Sequence, residues 1–337
     1  MSRDIFNKKR KRLRVRRILL VCIVLLLIAA LVLGFVFLIK GLQNSVAPIE
    51  TPQTNTPSVE QEEDPPTLEP VRQLPADFLT RNTKAPRILL YDISAKTLMY
   101  EKNGDELCAP ASLTKLMTAI VALENADPDT VITAGNELYL LDPESSRAGI
   151  YIGHKMTLTQ ALQGLLLKSG NDAAYVIAAQ LGQMMDPSVS GQAAIDLYCQ
   201  RMTEKAKELG CTNTTFLNPD GIDKAGHQTT ANDLLKISLY ALEQPFIAKT
   251  VATNQITTTL VSGQTKTWAN SNKLLPGGAY AYAGACGMKT GTTDGAGNCL
   301  ISCATRDGRT ILCILLGAEK DSIRYNETIE LLNLGFF

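Results

Sequence analysis

Apolar and polar positions divide the chain into a long apolar segment, a polar connector and a larger body. The stretch 18–39 contains no charged residue and follows a basic block at 1–17. A helix rising ~1.5 Å per residue over that stretch spans a ~30 Å hydrocarbon core, and flanking basic residues stay on the cytoplasmic side. We therefore predict a single-pass transmembrane helix at 18–39, with a cytoplasmic N-terminus at 1–17 and an extracytoplasmic remainder.

A cleaved signal peptide is the alternative interpretation of the same segment. Ser45-Val46-Ala47 has the small residues of a cleavage site. However, the apolar run exceeds the ~7–15 residues of a signal-peptide core, and Pro48 follows the candidate site directly. We favour the uncleaved anchor.

The connector at 40–84 is rich in Pro, Thr, Gln and Glu. A segment of this composition buries little apolar surface, so the sequence predicts a disordered stalk. Because a proline-containing linker is semi-extended, the stalk would hold the body away from the membrane surface.

The body at 85–337 mixes strand and helix patterns. Runs of β-branched and apolar residues near both of its ends predict strands, and Asp307-Gly308 predicts a two-residue hairpin turn. Strands at both ends with helices between them imply one antiparallel sheet and a separate helical lobe. The predicted strands lie at 88–92, 97–100, 298–305 and 310–317, and the predicted helices at 158–167, 173–181, 193–209, 231–242 and 322–334.

A reactive pair stands at the start of a further predicted helix. Apolar positions recur at helical spacing from Leu113 to Val121, so we expect a buried helix that begins at Ser112. Residues three apart share a helix face, which brings the Lys115 amine to the Ser112 hydroxyl. A serine needs a base to become a nucleophile, and a lysine can be that base only when burial or a nearby cation lowers its pKa.

Two more short motifs follow this Ser-x-x-Lys pattern in a fixed order. They are Ser169-Gly170-Asn171 and Lys289-Thr290-Gly291, and each of the three patterns occurs once in the chain. Together they form the signature of β-lactamases and penicillin-binding proteins. Any one of them alone would be weak, because short motifs match by chance.

With these motifs, residues 85–337 resemble the serine-type D-alanyl-D-alanine carboxypeptidases, the low-molecular-weight penicillin-binding proteins of peptidase family S11. The resemblance extends over 167–174, 216–221, 227–231 and 289–300. It implies an α/β (α+β) penicillin-binding/β-lactamase-like fold, with a five-stranded antiparallel sheet flanked by helices. Many members carry a β-rich C-terminal domain and a terminal amphipathic membrane helix. This chain ends after its last predicted helix, so we expect the N-terminal anchor to replace that attachment in a bacterial membrane.

The resemblance implies an acyl-transfer reaction on peptidoglycan pentapeptides. Ser112 would attack the carbonyl between the two terminal D-alanines, and neutral Lys115 would take its proton. Ser169 would relay a proton from Lys115 to the leaving amine, and Asn171 would hold the substrate backbone or orient Lys115. The same nucleophile would be acylated by β-lactams. The alternative role for Ser169 is a structural one, in which it caps the N-terminus of the following helix.

Further residues would bind the substrate. The resemblance assigns Lys289 and Thr290 to the free carboxylate, with Lys289 also lowering the pKa of Lys115. It assigns the backbone N–H groups of Ser112 and Thr292 to an oxyanion hole, and Arg324 to the terminal carboxylate. We expect the Lys-Thr-Gly motif just before a strand, where Gly291 admits the substrate backbone. A surface ion pair with Glu327 is the alternative for Arg324.

No cofactor or metal is expected. The two histidines, His154 and His227, are interpreted as structural, and the sequence has no His-x-x-x-His or Cys-x-x-Cys pair. Although the formal net charge is +0, much of the positive charge lies in the basic block at 1–17. The body is therefore acidic, which argues against nucleic acid as a partner.

The eight cysteines predict mostly free, buried thiols. Cys22 lies in the apolar segment, which leaves an odd number outside it. In the predicted hairpin, Cys303 and Cys313 point to opposite sides of the sheet and should not pair. Pairing of Cys199 with Cys211 stays open.

Two other functions compete with the carboxypeptidase. A class A-like β-lactamase needs a glutamate for deacylation, but the nearest candidates, Glu204 and Glu208, fall within a predicted helix. The second competing function is that of a penicillin sensor without catalytic activity. Within the enzyme class, endopeptidase activity on cross-links stays open.

Overall fold

The computed structural model describes residues 83–337. The predicted cytoplasmic segment at 1–17, the predicted transmembrane helix at 18–39 and nearly all of the predicted stalk at 40–84 lie outside these residues. Within residues 83–337, no helix has both the length and the apolar character that crossing a bilayer requires.

The described residues contain nine strands in three sheets. The largest sheet is antiparallel with the order β2-β1-β9-β8-β7, while β3 pairs with β4 and β5 with β6. The predicted five-stranded antiparallel sheet, built from both ends of the body, is thereby confirmed. The strands are β1 (Arg87–Asp92), β2 (Thr97–Lys102), β3 (Val131–Thr133), β4 (Lys155–Thr157), β5 (Gln255–Thr259), β6 (Thr265–Ala269), β7 (Ala285–Thr293), β8 (Gly297–Arg306) and β9 (Arg309–Ala318).

Seven α-helices surround the sheet within the same residues. The seven helices are α1 (Thr114–Asn125), α2 (Leu158–Leu167), α3 (Asn171–Met185), α4 (Gln192–Glu208), α5 (Ala231–Glu243), α6 (Pro245–Val251) and α7 (Asp321–Phe336). All of them except α6 match predicted segments to within a few residues at each end.

The hairpin between β8 and β9 forms as predicted. Arg306 pairs with Arg309 across the turn, and the φ angles of Asp307 and Gly308 are 49° and 77°. Two consecutive positive φ angles give the turn that matches the right-handed twist of the flanking strands. The register places Cys313 opposite Ser302, so Cys313 points away from Cys303 as expected.

Two parts of the fold differ from the sequence prediction. The Lys-Thr-Gly motif lies inside β7 and not before a strand. The sequence did not predict β7 because glycines interrupt its apolar pattern. The β5–β6 hairpin was not predicted, since its strands are rich in threonine and have no apolar alternation.

Two apolar layers cover the two faces of the large sheet. On one face, Tyr325, Leu331 and Leu332 of α7 pack with Leu90 and Leu315. On the other face, α1 lies between the sheet and the helical lobe, and every residue from Thr114 to Ala122 is buried. Burial on all sides explains why the polar residues of α1 must find partners inside the protein.

A disulfide joins β7 to β8 between Cys286 and Cys303, whose Cα atoms lie 5.3 Å apart. This bridge was not foreseen, because the strand that carries Cys286 had no sequence signal. The five other described cysteines are free, so the alternative pairing of Cys199 with Cys211 is not formed: the free thiols are those of Cys108, Cys199, Cys211, Cys299 and Cys313.

Candidate active site

Ser112 lies in a single 3₁₀ turn, Ala111–Leu113, that leads into α1 at Thr114. The predicted start of the α-helix at Ser112 is therefore two residues early. The side chain of Lys115 is fully buried, and its Nζ lies 2.8 Å from Ser112 Oγ and donates to the carbonyl oxygen of Asp220 at 2.6 Å. The predicted contact between the serine hydroxyl and the lysine amine is present.

Burial lowers the pKa of Lys115 to about 8, while the carboxylates of Asp220 and Asp172 oppose that shift. At pH 7, roughly a tenth of such amines are neutral. Lys289 was expected to contribute to this lowering of the pKa of Lys115, but desolvation causes the lowering, and the charges that act on Lys115 are the two carboxylates, which raise the pKa. The effect of one lysine on the other is seen at Lys289, whose pKa is lowered well below its ordinary value by burial and then by the positive charges of Lys115 and Arg324.

The loop that carries Asp220 approaches the nucleophile segment closely. Gly221 has a φ of +92°, and a Cβ built on it would lie 1.8 Å from the carbonyl oxygen of Ala111, so only glycine fits there. Asn218 rigidifies the loop by accepting from the Gly221 N–H at 2.8 Å and donating to the Ile222 carbonyl at 2.7 Å. The sequence resemblance includes this Asn-Pro-Asp-Gly stretch, but it did not indicate that the Asp220 carbonyl binds the amine of Lys115.

His227 is structural, as predicted. Its Nε2 lies 2.9 Å from Thr114 Oγ1, and its Nδ1 accepts from the Leu217 N–H at 2.9 Å. Burial lowers its pKa to about 4, which keeps the ring neutral at physiological pH. It ties the start of α1 to the loop before Asn218. His154 lies in a turn, where its Nδ1 accepts from the Tyr151 N–H at 3.2 Å.

Ser169 occupies a left-handed position between α2 and α3, with φ of 59°. Its Oγ accepts from Lys289 Nζ at 2.8 Å. The N-cap of α3 is Gly170 and no side chain caps that helix end, so the helix-cap alternative for Ser169 is wrong. The expected relay joined Ser169 to Lys115, but the bond that the structure shows joins it to Lys289.

Asn171 and Asp172 follow on the first turn of α3. Asn171 is 3% exposed, and its buried Oδ1 has no hydrogen-bond partner within the described protein. The carboxylate of Asp172 accepts from the N–H groups of Ala148 and Ile150 at 2.8 Å each. Sequence reasoning missed Asp172, which fixes the loop that contains Ala148 and Ile150.

The Lys-Thr-Gly segment of β7 forms the opposite wall. Besides its bond to Ser169, Lys289 Nζ donates to the Thr290 carbonyl at 2.8 Å. The hydroxyl oxygens of Thr290 and Ser271 lie 2.7 Å apart. A Cβ on Gly291 would lie 3.2 Å from the Ser112 nitrogen. The absent side chain therefore leaves room for the nucleophile segment itself, and not only for a substrate backbone.

Arg324 of α7 is 6% exposed and reaches the end of β7. Its Nη1 donates to the carbonyls of Gly291 and Cys299 at 3.1 Å and to Thr292 Oγ1 at 3.2 Å, and its Nη2 pairs with Asp321. The alternative prediction for Arg324, a surface ion pair with Glu327, is wrong. The carboxylate of Glu327 instead accepts from the backbone N–H of Lys84 at 2.7 Å and of Ala85 at 3.1 Å.

These side chains line a cleft of about 410 Å³. Lys115, Asn171 and Lys289 lie buried behind its surface, while Ser146, Lys168 and Ser271 belong to it without having been predicted. A serine hydroxyl in contact with a buried amine, beside a second hydroxyl–amine pair, is an arrangement suited to acyl transfer. The lining residues are Ser112, Ser146, Lys168, Ser169, Ala269, Asn270, Ser271, Thr290, Gly291, Thr292 and Arg324.

The structure does not support the glutamate that a β-lactamase would need. Glu204 and Glu208 lie on α4, where both pair with Arg201, and neither lines the cleft. No cluster of three or more potential metal-ligating side chains occurs among the residues that the structure describes.

Comparison with known proteins identifies one family. A model of the D-alanyl-D-alanine carboxypeptidases, peptidase S11, matches residues 75–320. A D-alanyl-D-alanine carboxypeptidase of Streptomyces sp. (strain K15) is 32% identical over 71% of this chain and 83% of its own. The carboxypeptidase DacF of Bacillus subtilis is 29% identical over 75% of this chain, which spans 62% of that relative.

Solved structures agree with these matches. The Streptomyces DD-transpeptidase superposes with a TM-score of 0.70 at 31% identity, covering 76% of this chain and 98% of that one. A penicillin-binding protein from Listeria monocytogenes in its ampicillin-bound form superposes with a TM-score of 0.62 at 27% identity, covering 76% and 99% of the two chains.

Proposed function

Because this chain belongs to the D-alanyl-D-alanine carboxypeptidase family, peptidase S11, we propose that its Ser112 carries the acyl-enzyme through which the terminal D-alanine is removed from peptidoglycan pentapeptides. The observation that carries the proposal is the 2.8 Å contact between Lys115 Nζ and Ser112 Oγ in a cleft that also holds Ser169 and Thr290.

Acylation begins with Lys115 in its neutral form. Its amine accepts the hydroxyl proton while Ser112 Oγ attacks the carbonyl between the two D-alanines. The N–H groups of Ser112 and Thr292 stabilise the resulting oxyanion, and a donor of this kind contributes ~10²–10³ in rate. As the C–N bond breaks, the proton that Lys115 accepted passes through Ser169 to the leaving amine, and Lys115 returns to its neutral form. Water then attacks the ester and regenerates the Ser112 hydroxyl.

The substrate carboxylate lies at the other side of the cleft. Lys289 and Thr290 bind it, and Arg324 supports that end of the site through its contacts with Gly291 and Thr292. The buried Oδ1 of Asn171 lacks a partner, so an N–H of the substrate backbone would satisfy it. A buried acceptor left unpaired costs ~1–3 kcal/mol, which favours binding of a ligand that supplies the donor.

β-Lactams acylate the same serine in this proposal, which the ampicillin-bound Listeria relative supports. We further propose that the apolar stretch 18–39 anchors the enzyme in the bacterial cell membrane and that 40–84 acts as a stalk. The support for both is the sequence pattern.

Release of D-alanine from a defined pentapeptide tests the activity, with the full-length protein and its Ser112→Ala variant. We expect release by the wild type, and in the variant neither release nor covalent labelling by fluorescent penicillin. Labelling of the wild type without release of D-alanine would instead indicate a penicillin sensor. Rapid turnover of nitrocefin would indicate a β-lactamase.

A further inference from the structure

The β5–β6 hairpin presents four threonines to solvent beside the cleft. Thr257 pairs with Thr267, and Thr259 with Thr265. The hydroxyl oxygens lie 2.9 Å apart in the first pair and 3.1 Å apart in the second. All four side chains are exposed on the same face, which we call the threonine face.

The opposite face of the hairpin is fixed to the body. Trp268 is 2% exposed, and its Nε1 donates to the Ala148 carbonyl at 2.7 Å. Gln160 of α2 donates through Nε2 to Thr258 Oγ1 at 2.9 Å and to the Thr259 carbonyl at 2.7 Å. Because these contacts hold the hairpin in place, the threonine face loses little conformational entropy when a ligand binds to it.

The threonine face continues the wall of the cleft. Because alternate residues of a strand share a face, Thr265, Thr267 and Ala269 point the same way, and Ala269 lines the cleft. The distance along β6 from Ala269 to Thr265 is ~13 Å at ~3.3 Å per residue. Ser271 follows at the same wall and contacts Thr290, so the face extends from the end of the cleft assigned to the substrate carboxylate.

The chemistry of the face matches a neutral, hydroxyl-rich polymer. A threonine hydroxyl offers one donor and two acceptor positions, so each pair keeps one donor and several acceptors after its internal bond. These groups can bind both the N–H and the carbonyl of an acetamide, as well as sugar hydroxyls. The paired positions on this face, from Gln255 to Ala269, include no charged residue, whereas a polyanion requires basic side chains.

We infer that the threonine face binds a glycan strand of peptidoglycan, a polymer of N-acetylated sugars, where the strand passes the carboxylate end of the cleft. The inference rests on the proposed function. It explains how an enzyme whose cleft accepts a short peptide would favour that peptide within a wall.

The test compares polymeric and soluble substrates with the full-length protein. The variant is Thr257→Ala/Thr267→Ala, and the matched control is Thr305→Ala/Thr310→Ala, which removes a similar cross-strand pair (2.9 Å) at the far end of β8 and β9. On uncrosslinked glycan strands with pentapeptide stems, we expect kcat/KM of the first variant to fall about tenfold, from the loss of two modest hydrogen bonds. On the free pentapeptide it should stay within about twofold of the wild type, and the control should match the wild type on both substrates.

Stem-free glycan strands provide a second measurement, because they should inhibit the wild type on the polymer and inhibit the first variant more weakly. Equal behaviour of variant and wild type on the polymer, or an equal loss on both substrates, would overturn the inference. Tighter binding of Thr267→Lys to wall polymer would identify a polyanion and overturn the glycan assignment. If the wild type releases no D-alanine from the free pentapeptide, the proposed function fails, while direct binding of stem-free strands still decides the inference.

Discussion

In the proposed mechanism, the charge of Asp220 influences the pH at which Lys115 becomes a base. The carboxylate is 2% exposed and raises the pKa of Lys115, which burial otherwise lowers to about 8. The Asp220 carbonyl oxygen lies 2.6 Å from Lys115 Nζ, so the carboxylate of the same residue is at most ~8 Å away. At an effective dielectric constant of ~20, two unit charges at that distance interact by ~2 kcal/mol.

Asp220→Asn removes this charge and keeps an oxygen that can accept from the Ile222 N–H, as Oδ1 does at 3.3 Å. The pKa of Lys115 should fall, because the protonated amine loses a favourable interaction. Only the neutral amine acts as a base, so acylation rises with pH through this pKa. The midpoint of the profile should therefore move from about pH 8 to lower pH by ~1–1.5 units, and acylation at pH 7 should become roughly five- to eightfold faster.

The assay is the second-order rate of labelling by fluorescent penicillin between pH 5.5 and about 10, within the range where a lysine titrates. Asp196→Asn is the matched control, because Asp196 is an exposed carboxylate on α4 that lines the same neighbouring cavity as Asp220. Its profile should be that of the wild type. A midpoint that stays in place in Asp220→Asn, or moves to higher pH, would refute the assignment of Lys115 as the base.

Three further predictions concern the surrounding residues. Gly221→Ala should lower the free energy of unfolding in urea by about 3 kcal/mol or more, since its Cβ would overlap the Ala111 carbonyl; an unchanged midpoint would show that the loop can move. Ser169→Ala should slow D-alanine release by ~10²–10⁴ through loss of proton transfer while circular dichroism stays unchanged, and a loss below tenfold would contradict that role. Arg324→Lys should raise KM for the pentapeptide about tenfold or more, because one ammonium cannot reach the acceptors that the guanidinium holds; an unchanged KM would leave Arg324 a purely structural role.

Local sequence patterns predicted much of the fold and part of the candidate site. The strands near both ends of the body, the Asp307-Gly308 turn and the Ser112–Lys115 contact follow from short-range periodicity and spacing. Contacts between distant segments did not follow in this way. Asp220 contacts Lys115 although 105 positions separate them in the sequence, and Ser169 contacts Lys289 over a separation of 120 positions. Short-range spacing therefore predicts neither contact.

Glycine and threonine account for most of the remaining differences. β7 carries glycines that interrupt its apolar alternation, which hid both the strand and the Cys286–Cys303 pair. The β5–β6 hairpin is held by two large apolar side chains of its strands, the buried Trp268 and the partly buried Ile256, and by side-chain bonds from Gln160. A strand stabilised mainly by tertiary contacts leaves little periodic signal in its own sequence.

The account depends most on the claim that the buried amine of Lys115 removes the proton of Ser112. Lys115→Met tests it most directly, because methionine keeps much of the buried volume and cannot accept the proton. With folding verified by circular dichroism, the second-order rate of Ser112 acylation by fluorescent penicillin should fall by ~10²–10⁴ at every pH and lose its rise near pH 8. Acylation within tenfold of the wild-type rate, with the same dependence on pH, would contradict the claim.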